Sequence, residues 1–175
     1  MRLLTTLAIL LSTSFAMAQD KGTTVELAGL KSTTPKEWKE ETPSNSMRVA
    51  QFKLPKAEKD KEDAELAIFM FPGGSGTVKQ NLERQLAKFI EEGRKDKTEK
   101  SKVGDLEATY QDITGTYKKK PFPMAEKFTL VPDFRQLYVI FEGKDGKQYY
   151  MNLLGPKNTV EKHKKGFEEW LKNFK

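Results

Sequence analysis

The chain has no cysteine and only one histidine, His163. Without cysteine it forms no disulfide and offers no thiolate to a zinc ion, an iron–sulfur cluster or a covalent intermediate. With one histidine, a single chain cannot build a multi-histidine metal site or a histidine relay. We therefore assign no catalytic, cofactor-binding or metal-ligating residue and predict no cofactor.

The sequence also lacks an apolar run of the roughly 20 residues that cross a bilayer as a helix. Its apolar segment Leu3–Leu11 is too short for this and follows the positively charged Arg2. A small-x-small pattern, Ala16-Met17-Ala18, comes shortly afterwards, and the three features together are typical of a secretory signal peptide. We predict a signal peptide over residues 1–18 and a protein that is soluble after cleavage, in the periplasm or outside the cell.

No repeat and no flexible linker divides the rest of the chain. Removal of residues 1–18 from the 175-residue chain would leave 157 residues, which is the size of one domain with one hydrophobic core. We predict a single domain over residues 19–175.

Positive charge is in excess, with a formal net charge of +6 that becomes +5 without Arg2. Most charged stretches mix both signs, as solvated surfaces do, and the exceptions are lysine clusters at 118–120 and 162–165. Aromatic residues do not alternate with these lysines as a base-stacking surface requires. We predict a protein or an acidic component of the cell envelope as partner, and no nucleic acid and no membrane span.

Strand and helix patterns alternate along the chain. Short apolar or alternating runs predict about six strands, at 25–27, 46–54, 64–71, 106–117, 135–143 and 147–155. Helical spacing predicts one helix from Thr77 towards Gly93 and a second from Asn158 to the C-terminal end. Hairpin signals such as Asp145-Gly146 connect the strands. The pattern favours an α+β fold with a mostly antiparallel sheet and packed helices.

The glycine-rich segment 73–76 lies between a predicted strand and the first helix. A Walker-type phosphate loop would need glycine where Val78 stands, and a nucleophile elbow around Ser75 would need glycine where Thr77 stands. We therefore predict a connecting turn, with a capping box formed by Thr77 and Gln80. Anion binding at the helix N-terminus stays open as an alternative.

Few other side chains point to chemistry. Among the carboxylates, Asp112 and Glu142 stand near strand ends and are the candidates for a carboxylate-dependent hydrolase. His163 lies at the edge of the apolar stripe of the terminal helix, which favours a packed structural histidine over a catalytic base. The aromatics Trp38 and Phe122 could line a groove, although large aromatics more often anchor a core.

Several segments carry a resemblance to a known family. They are the turn from Pro35 to Trp38, the strand with Met47-Arg48-Val49-Ala50, the glycine turn followed by Asn81 to Arg84, and Gly155-Pro156 before Thr159-Val160. From about Val25 onward the chain resembles a family of exported bacterial proteins of uncharacterised function, which is similar to the PsbP/Mog1-like α/β/α sandwich. Gln85 departs from that pattern, where an aromatic residue is expected.

The resemblance implies interaction more than catalysis. The related fold hosts assembly factors and binding modules, such as photosystem II extrinsic subunits and a Ran-binding protein. We therefore expect a non-enzymatic exported binding or assembly module, with a carboxylate-dependent hydrolase or an anion-binding surface protein as alternatives. The candidate partner surface comprises Trp38, Phe122, Lys118, Lys119 and Lys120.

We expect the exported protein to begin at Gln19, because Ala16 and Ala18 present small side chains to the signal peptidase. Mass spectrometry of the intact protein from the extracellular and periplasmic fractions checks this start. A mature chain that retains residues before Ala16 would contradict it.

Overall fold

The computed structural model of the chain describes residues 22–71, 73, 75–122 and 124–175. The predicted signal peptide lies outside these residues. No helix among them is long and apolar enough to cross a membrane.

The described residues form nine strands and two helices. The strands are β1 (Thr24–Leu27), β2 (Leu30–Thr33), β3 (Lys39–Glu41), β4 (Arg48–Leu54), β5 (Ala64–Phe71), β6 (Lys95–Val103), β7 (Leu106–Lys119), β8 (Thr129–Glu142) and β9 (Gln148–Pro156). The helices are α1 (Val78–Leu86) and α2 (Lys157–Lys172). Strands β3 to β9 make one antiparallel sheet in the order β3-β4-β5-β9-β8-β7-β6, and β1 pairs with β2. The prediction of a mostly antiparallel α+β fold is confirmed, with more strands than predicted.

The larger core lies between one face of the sheet and α2. Alternate residues of the central strands point to this face, including Leu66, Leu137 and Met151, which are fully buried. They meet Phe167 and Trp170 of the helix, and the β1–β2 hairpin closes the side of the same core. The apolar stripe of the terminal helix is therefore buried against the sheet, as its helical spacing predicts.

The opposite face of the sheet is covered only in part, by the nine-residue α1. Two smaller apolar clusters lie beneath it, one around Phe89 and Ile113 and the other around Tyr138 and Tyr150. The two helices thus cover opposite faces unequally, and the second face keeps a partly open area beside α1.

Three short or charged strands were not predicted. Strand β6 carries the sequence KDKTEKSKV and exposes seven of its nine residues, because it pairs only with β7 and stands at one end of the sheet. Strand β3, at the other end, has three residues. Such edge strands lack the apolar alternation that identifies a half-buried strand. Strand β2, which is not among the six predicted strands, pairs fully with β1.

Helix α1 is shorter than predicted and buries a different face. It ends at Leu86, well before Gly93, and its buried side chains are the polar Asn81 and Gln85. Leu82 and Leu86 are only half-buried, and Val78 is exposed. The apolar face that helical spacing predicts, Val78, Leu82, Leu86, Phe89 and Ile90, is thus buried only in part: Phe89, after the helix, is buried, and Leu82 and Leu86 pack beside the two small clusters. Helix α1 lies on a sheet face that itself presents polar groups.

The N-terminus of α2 is capped from outside the helix. The sequence predicts Asn158 as the cap, but the helix begins at Lys157 without a side-chain cap of its own. Instead, Asp60 of the β4–β5 loop accepts hydrogen bonds from the Thr159 backbone N–H (2.7 Å) and the Thr159 hydroxyl (2.6 Å). Although partial burial opposes ionisation, these bonds and one from Asn158 lower the pKa of Asp60.

Replacing Asp60 with alanine should lower the free energy of unfolding by about 0.5 to 2 kcal/mol, because it removes the cap and a negative charge at the helix N-terminus. Urea unfolding monitored by circular dichroism measures the change. Glu58→Ala, in the same loop and exposed, is the matched control and should leave stability within about 0.5 kcal/mol. Equal effects of the two substitutions would contradict the capping role.

Candidate functional site

The predicted partner surface separates into two parts in the structure. Lys118 and Lys119 end strand β7, and Lys120 and Phe122 follow in the loop that leads to β8. Phe122 is 61% exposed. Trp38, in contrast, is only 3% exposed and lies in the larger core.

The inclusion of Trp38 in the surface is therefore wrong, and its surroundings give the physical reason. Its ring lies 5.7 Å from the Trp170 ring, and its indole N–H donates to Nδ1 of His163 over 3.3 Å. An indole buried with its N–H satisfied is a core anchor. Contact with a partner would require that core to open.

The β7–β8 hairpin, which we define as residues 118–130, extends past the end of β6. Lys119 pairs with Thr129 and Lys118 with Leu130, and β6 ends its pairing with β7 at Thr114. The chain that follows α1 takes the place of β6 here, since the Lys118 N–H donates to the Lys88 carbonyl (2.8 Å). The hairpin thus has a fixed base with hydrogen bonds on both sides.

Two aromatic contacts and a bulge complete this base. The Tyr117 ring lies 5.4 Å from the Phe89 ring and stacks on the Phe134 ring at the same distance. Pro132 and Asp133 together face Thr116, so β8 has one more residue than β7 at this point. Proline is tolerated in a strand at such a bulge.

The hairpin presents apolar side chains to solvent. Met124 is 88% exposed, and three more large apolar side chains are about half-exposed or more: Phe122, Phe128 and Leu130. The segment also holds four lysines and one glutamate, Glu126. Exposed apolar residues clustered beside mostly positive charge indicate an interaction surface.

Two of the predicted lysines have partners within the protein. Lys118 donates to the carbonyl of Ala87 at the C-terminus of α1 (3.1 Å), a favourable position for a cation. Lys119 forms an ion pair with Glu62 (2.6 Å). Both contacts are exposed to solvent and contribute little to stability. The carbonyl does not neutralise the charge of Lys118, whereas Glu62 offsets that of Lys119.

Asp112, a candidate for hydrolase chemistry, is instead the centre of an ion-pair network. Arg135 binds both of its carboxylate oxygens, at 2.8 and 2.6 Å, and Lys164 of α2 donates to it over 3.1 Å. Burial raises the pKa of Asp112, but these bonds outweigh it and lower the pKa overall. A carboxylate held in this way joins α2 to the sheet and is poorly suited to proton transfer.

Glu142 is the second carboxylate candidate for hydrolase chemistry. Glu142 is exposed at the end of β8 and lies beside Gln148 of β9. Among the residues described, no group of three or more histidine, aspartate or glutamate side chains could hold a metal ion.

The glycine segment forms a turn tied closely to α1. Gly73 and Gly76 have positive φ angles of 79° and 101°, and Thr77 and Gln80 form the predicted capping box. Asn81 Nδ2 donates to the carbonyl of Thr77 over 3.0 Å, and Arg84 Nη1 donates to the carbonyl of Ser75 over 2.6 Å. The predicted connecting turn is confirmed.

Beside this turn lies a cleft that the sequence analysis missed. It has a volume of about 270 Å³, with a wall from α1 and a floor from β5, β9 and β8. Its lining consists of Phe69, Phe71, Ser75, Asn81, Arg84, Gln85, Lys88, Tyr138, Tyr150 and Asn152. The departure at Gln85 from the resembled pattern was the one signal in the sequence, because a buried polar residue replaces an expected aromatic.

Polar side chains form a connected group at the inner end of the cleft. Oε1 of Gln85 accepts from Lys88 Nζ (2.5 Å) and from Gln136 Nε2 (2.9 Å), and the same Gln136 amide donates to Asn152 Oδ1 (2.6 Å). Gln136 and Gln85 are buried. Buried amides that fix one another in this way define the positions of the polar groups that face the cleft.

The comparisons with known proteins concern the fold. No protein-family model matches the chain, and no curated protein matches it in sequence. The fold is PsbP-like, a sheet-dominated α+β class. The solved structure that shows this is the solution structure of cyanobacterial PsbP (CyanoP) from Synechocystis sp. PCC 6803, with a TM-score of 0.53 and 12% identity. The match covers 94% of this chain and 98% of that chain.

At this level of identity the likeness shows the fold alone. It confirms the PsbP-like part of the predicted fold. The surface and the cleft described above have to be interpreted from their own residues.

His163 has the packed structural environment that the sequence favours. It is 2% exposed, accepts from Trp38 at Nδ1, and lies with Nε2 2.9 Å from the Pro55 carbonyl, to which the neutral ring donates. Burial lowers the pKa of His163, partly offset by the bond to Pro55. The charged groups nearest to it include Glu37, whose carboxylate lies 3.9 Å from Nδ1.

Stability should fall as the pH falls below about 6.5, the ordinary pKa of histidine. The unfolded chain binds a proton there before the folded protein does, so protonation favours unfolding. In His163→Gln, whose amide can keep both hydrogen bonds, the loss of stability between pH 7 and pH 5 should shrink. Urea unfolding at pH 7, 6 and 5 compares the two proteins, and equal slopes would contradict the assignment.

Proposed function

We propose that this protein is an exported, non-enzymatic binding module that docks through the β7–β8 hairpin onto an anionic membrane surface of the cell envelope. The observation that carries the proposal is the cluster of exposed Phe122, Met124, Phe128 and Leu130 among four lysines at one end of the sheet. A soluble protein seldom exposes large apolar side chains together unless they meet a partner.

The chemistry of the hairpin suits a lipid surface. Apolar side chains at the tip enter the interface between head groups and acyl chains, and lysines beside them attract anionic head groups. The base of the hairpin supports this use, because Lys118 and Tyr117 are held by the segment after α1. A rigid base lets the tip insert without loss of order elsewhere.

The candidate catalytic residues are held in structural contacts, which supports a non-enzymatic role. Asp112 is bound by Arg135 and Lys164, and His163 is closed off by Trp38 and Pro55. With its oxygens bound by Arg135 and Lys164, Asp112 is not free to act as the general acid or base that the hydrolase alternative requires.

The export step of the proposal rests on the predicted signal peptide at residues 1–18. It places the hairpin in a compartment where the membrane surface is accessible to a soluble protein. The PsbP-like fold agrees with a binding role, since the fold supplies a stable sheet and the function lies in what the surface presents.

Co-sedimentation with lipid vesicles tests the docking. Residues 19–175 should bind vesicles that contain phosphatidylglycerol and bind phosphatidylcholine vesicles much more weakly. Lys120→Gln together with Lys127→Gln should weaken binding by about 2 kcal/mol, or roughly thirtyfold, at about 1 kcal/mol for each lysine near an anionic surface. Phe122→Ser together with Met124→Ser should also weaken it, because the apolar insertion is lost.

Matched controls separate the hairpin from general surface effects. Met47→Ser with Val49→Ser removes exposed apolar side chains at β4, and Lys100→Gln with Lys144→Gln removes two lysines outside the hairpin. Both control proteins should bind as the wild type does. Equal loss in control and hairpin variants, or binding only to an acidic protein with no vesicle binding, would overturn the proposal.

A further inference from the structure

We propose that the cleft between α1 and strands β5, β9 and β8 binds a small organic acid, with a carboxylate at Lys88 and a flat apolar body on the aromatic floor. This site is on the second face of the sheet and is independent of the hairpin surface and of the function proposed for it.

The cleft holds a cation for which the described residues supply no anion. Lys88 is half-buried at the cleft, and its Nζ donates to the amide oxygen of Gln85. Among the residues that the structure describes, no carboxylate forms an ion pair with Lys88 or with the neighbouring Arg84. Burial lowers the pKa of Lys88 to about 8, so at neutral pH most of the protein carries a poorly solvated ammonium group. A bound carboxylate would compensate that charge.

Amide side chains are arranged around the lysine. Gln85 is held by Lys88 and Gln136, and Asn152 Oδ1 accepts from Gln136. Within the described part of the chain, Nδ2 of Asn152 has no partner, so it can donate into the cleft. Gln136 lies behind the cleft lining, fully buried, and holds both Gln85 and Asn152 in place.

The floor of the cleft is aromatic. The Phe69 and Phe71 rings are nearly parallel, 6° apart in orientation and 6.3 Å between centroids, and Tyr150 meets Phe71 edge to face at 5.5 Å. Both phenyl rings are half-exposed on the central strand β5. Because these rings line the same cleft as Lys88, they favour a ligand with an apolar, preferably flat, body.

The size of the cleft limits the ligand. A volume of about 270 Å³ is slightly below the range of roughly 300 to 1,000 Å³ that holds drug-sized molecules. Besides Lys88 and a few amides, the lining holds the Arg84 guanidinium, whose Nη1 already donates to the Ser75 carbonyl and to Asn81 Oδ1. The single half-buried ammonium of Lys88 matches one carboxylate better than a doubly charged phosphate. A small monocarboxylate fits both limits.

Calorimetric titration with phenylacetate tests the site at pH 7. Phenylacetate should bind and raise the melting temperature in a dose-dependent way. Benzyl alcohol and inorganic phosphate should bind at least about tenfold more weakly, because benzyl alcohol lacks the carboxylate and phosphate lacks the aromatic ring. Amide chemical shifts should change around Gln85, Tyr138 and Asn152. Equal binding of benzyl alcohol, or shift changes confined to another face, would overturn the proposal.

Substitution of Lys88 gives the second arm. Lys88→Met should weaken phenylacetate binding about tenfold or more, whereas Lys79→Met, on the exposed side of α1, should leave it unchanged. Unchanged binding by the Lys88 variant would contradict the assignment.

A pH series on the wild-type protein gives the same information without a variant. Raising the pH from 7 to 9.5 should weaken phenylacetate binding about tenfold or more as Lys88 loses its proton. The other titratable or charged groups that face the cleft are Arg84, Tyr138 and Tyr150. Lys118 of strand β7 lies next to Lys88. Arginine keeps its charge over this range, and burial raises the pKa of Tyr138. Binding of phenylacetate that does not change over this pH range would overturn the proposal.

Discussion

The packing of Trp170 holds together parts of the chain that are far apart in sequence. Its ring contacts the rings of Trp38 and Phe174, at 5.7 and 4.9 Å between centroids, and its carbonyl accepts from the Ser32 hydroxyl (2.9 Å). Through these contacts α2 fixes both the β1–β2 hairpin and the segment before β3. The neighbouring Leu171 carbonyl accepts from the Gly104 N–H in the β6–β7 turn (2.8 Å). The larger core, and with it the sheet, depends on this one helix face.

The two faces of the sheet have different physical characters. The α2 face is apolar and closed, with ion pairs such as Arg135 to Asp112 at its margin. The α1 face is partly open and contains buried amides, tyrosines and the half-buried Lys88. A stable core on one side allows the other side to hold polar groups whose burial is unfavourable. Proteins commonly place functional groups on a scaffold that a packed core holds rigid.

The sequence predicts the parts of the fold where local pattern and burial agree. Strand β5, a compact apolar run, has the predicted bounds of 64–71, and the Asp145-Gly146 turn joins β8 to β9. The charged strand β6 could not be predicted, because its hydrogen bonds come from β7 and its side chains remain in solvent. Tertiary context decides such a strand.

The candidate sites also differ in how far the sequence predicts them. The exposed hairpin could be predicted in part, since prolines and lysines around Phe122 indicate a loop with an unusual aromatic residue. The cleft could not, because its lining comes from four elements and depends on the face that α1 turns to the sheet. Trp38 is predicted on the surface but lies in the core, because the sequence does not distinguish a core aromatic from a surface one.

The lysine-rich β6 also has a consequence for contacts between copies of the protein. Four lysines, with two acidic residues between them, cover an edge that would otherwise offer free backbone groups to a second strand. A second copy of β6 paired to this edge would bring eight lysines together with only four acidic residues, twice the four and two of one strand, and this net like charge disfavours the pairing. That repulsion keeps the exposed edge from joining sheets end to end, so the protein can expose apolar side chains on its hairpin without its sheets growing into larger assemblies.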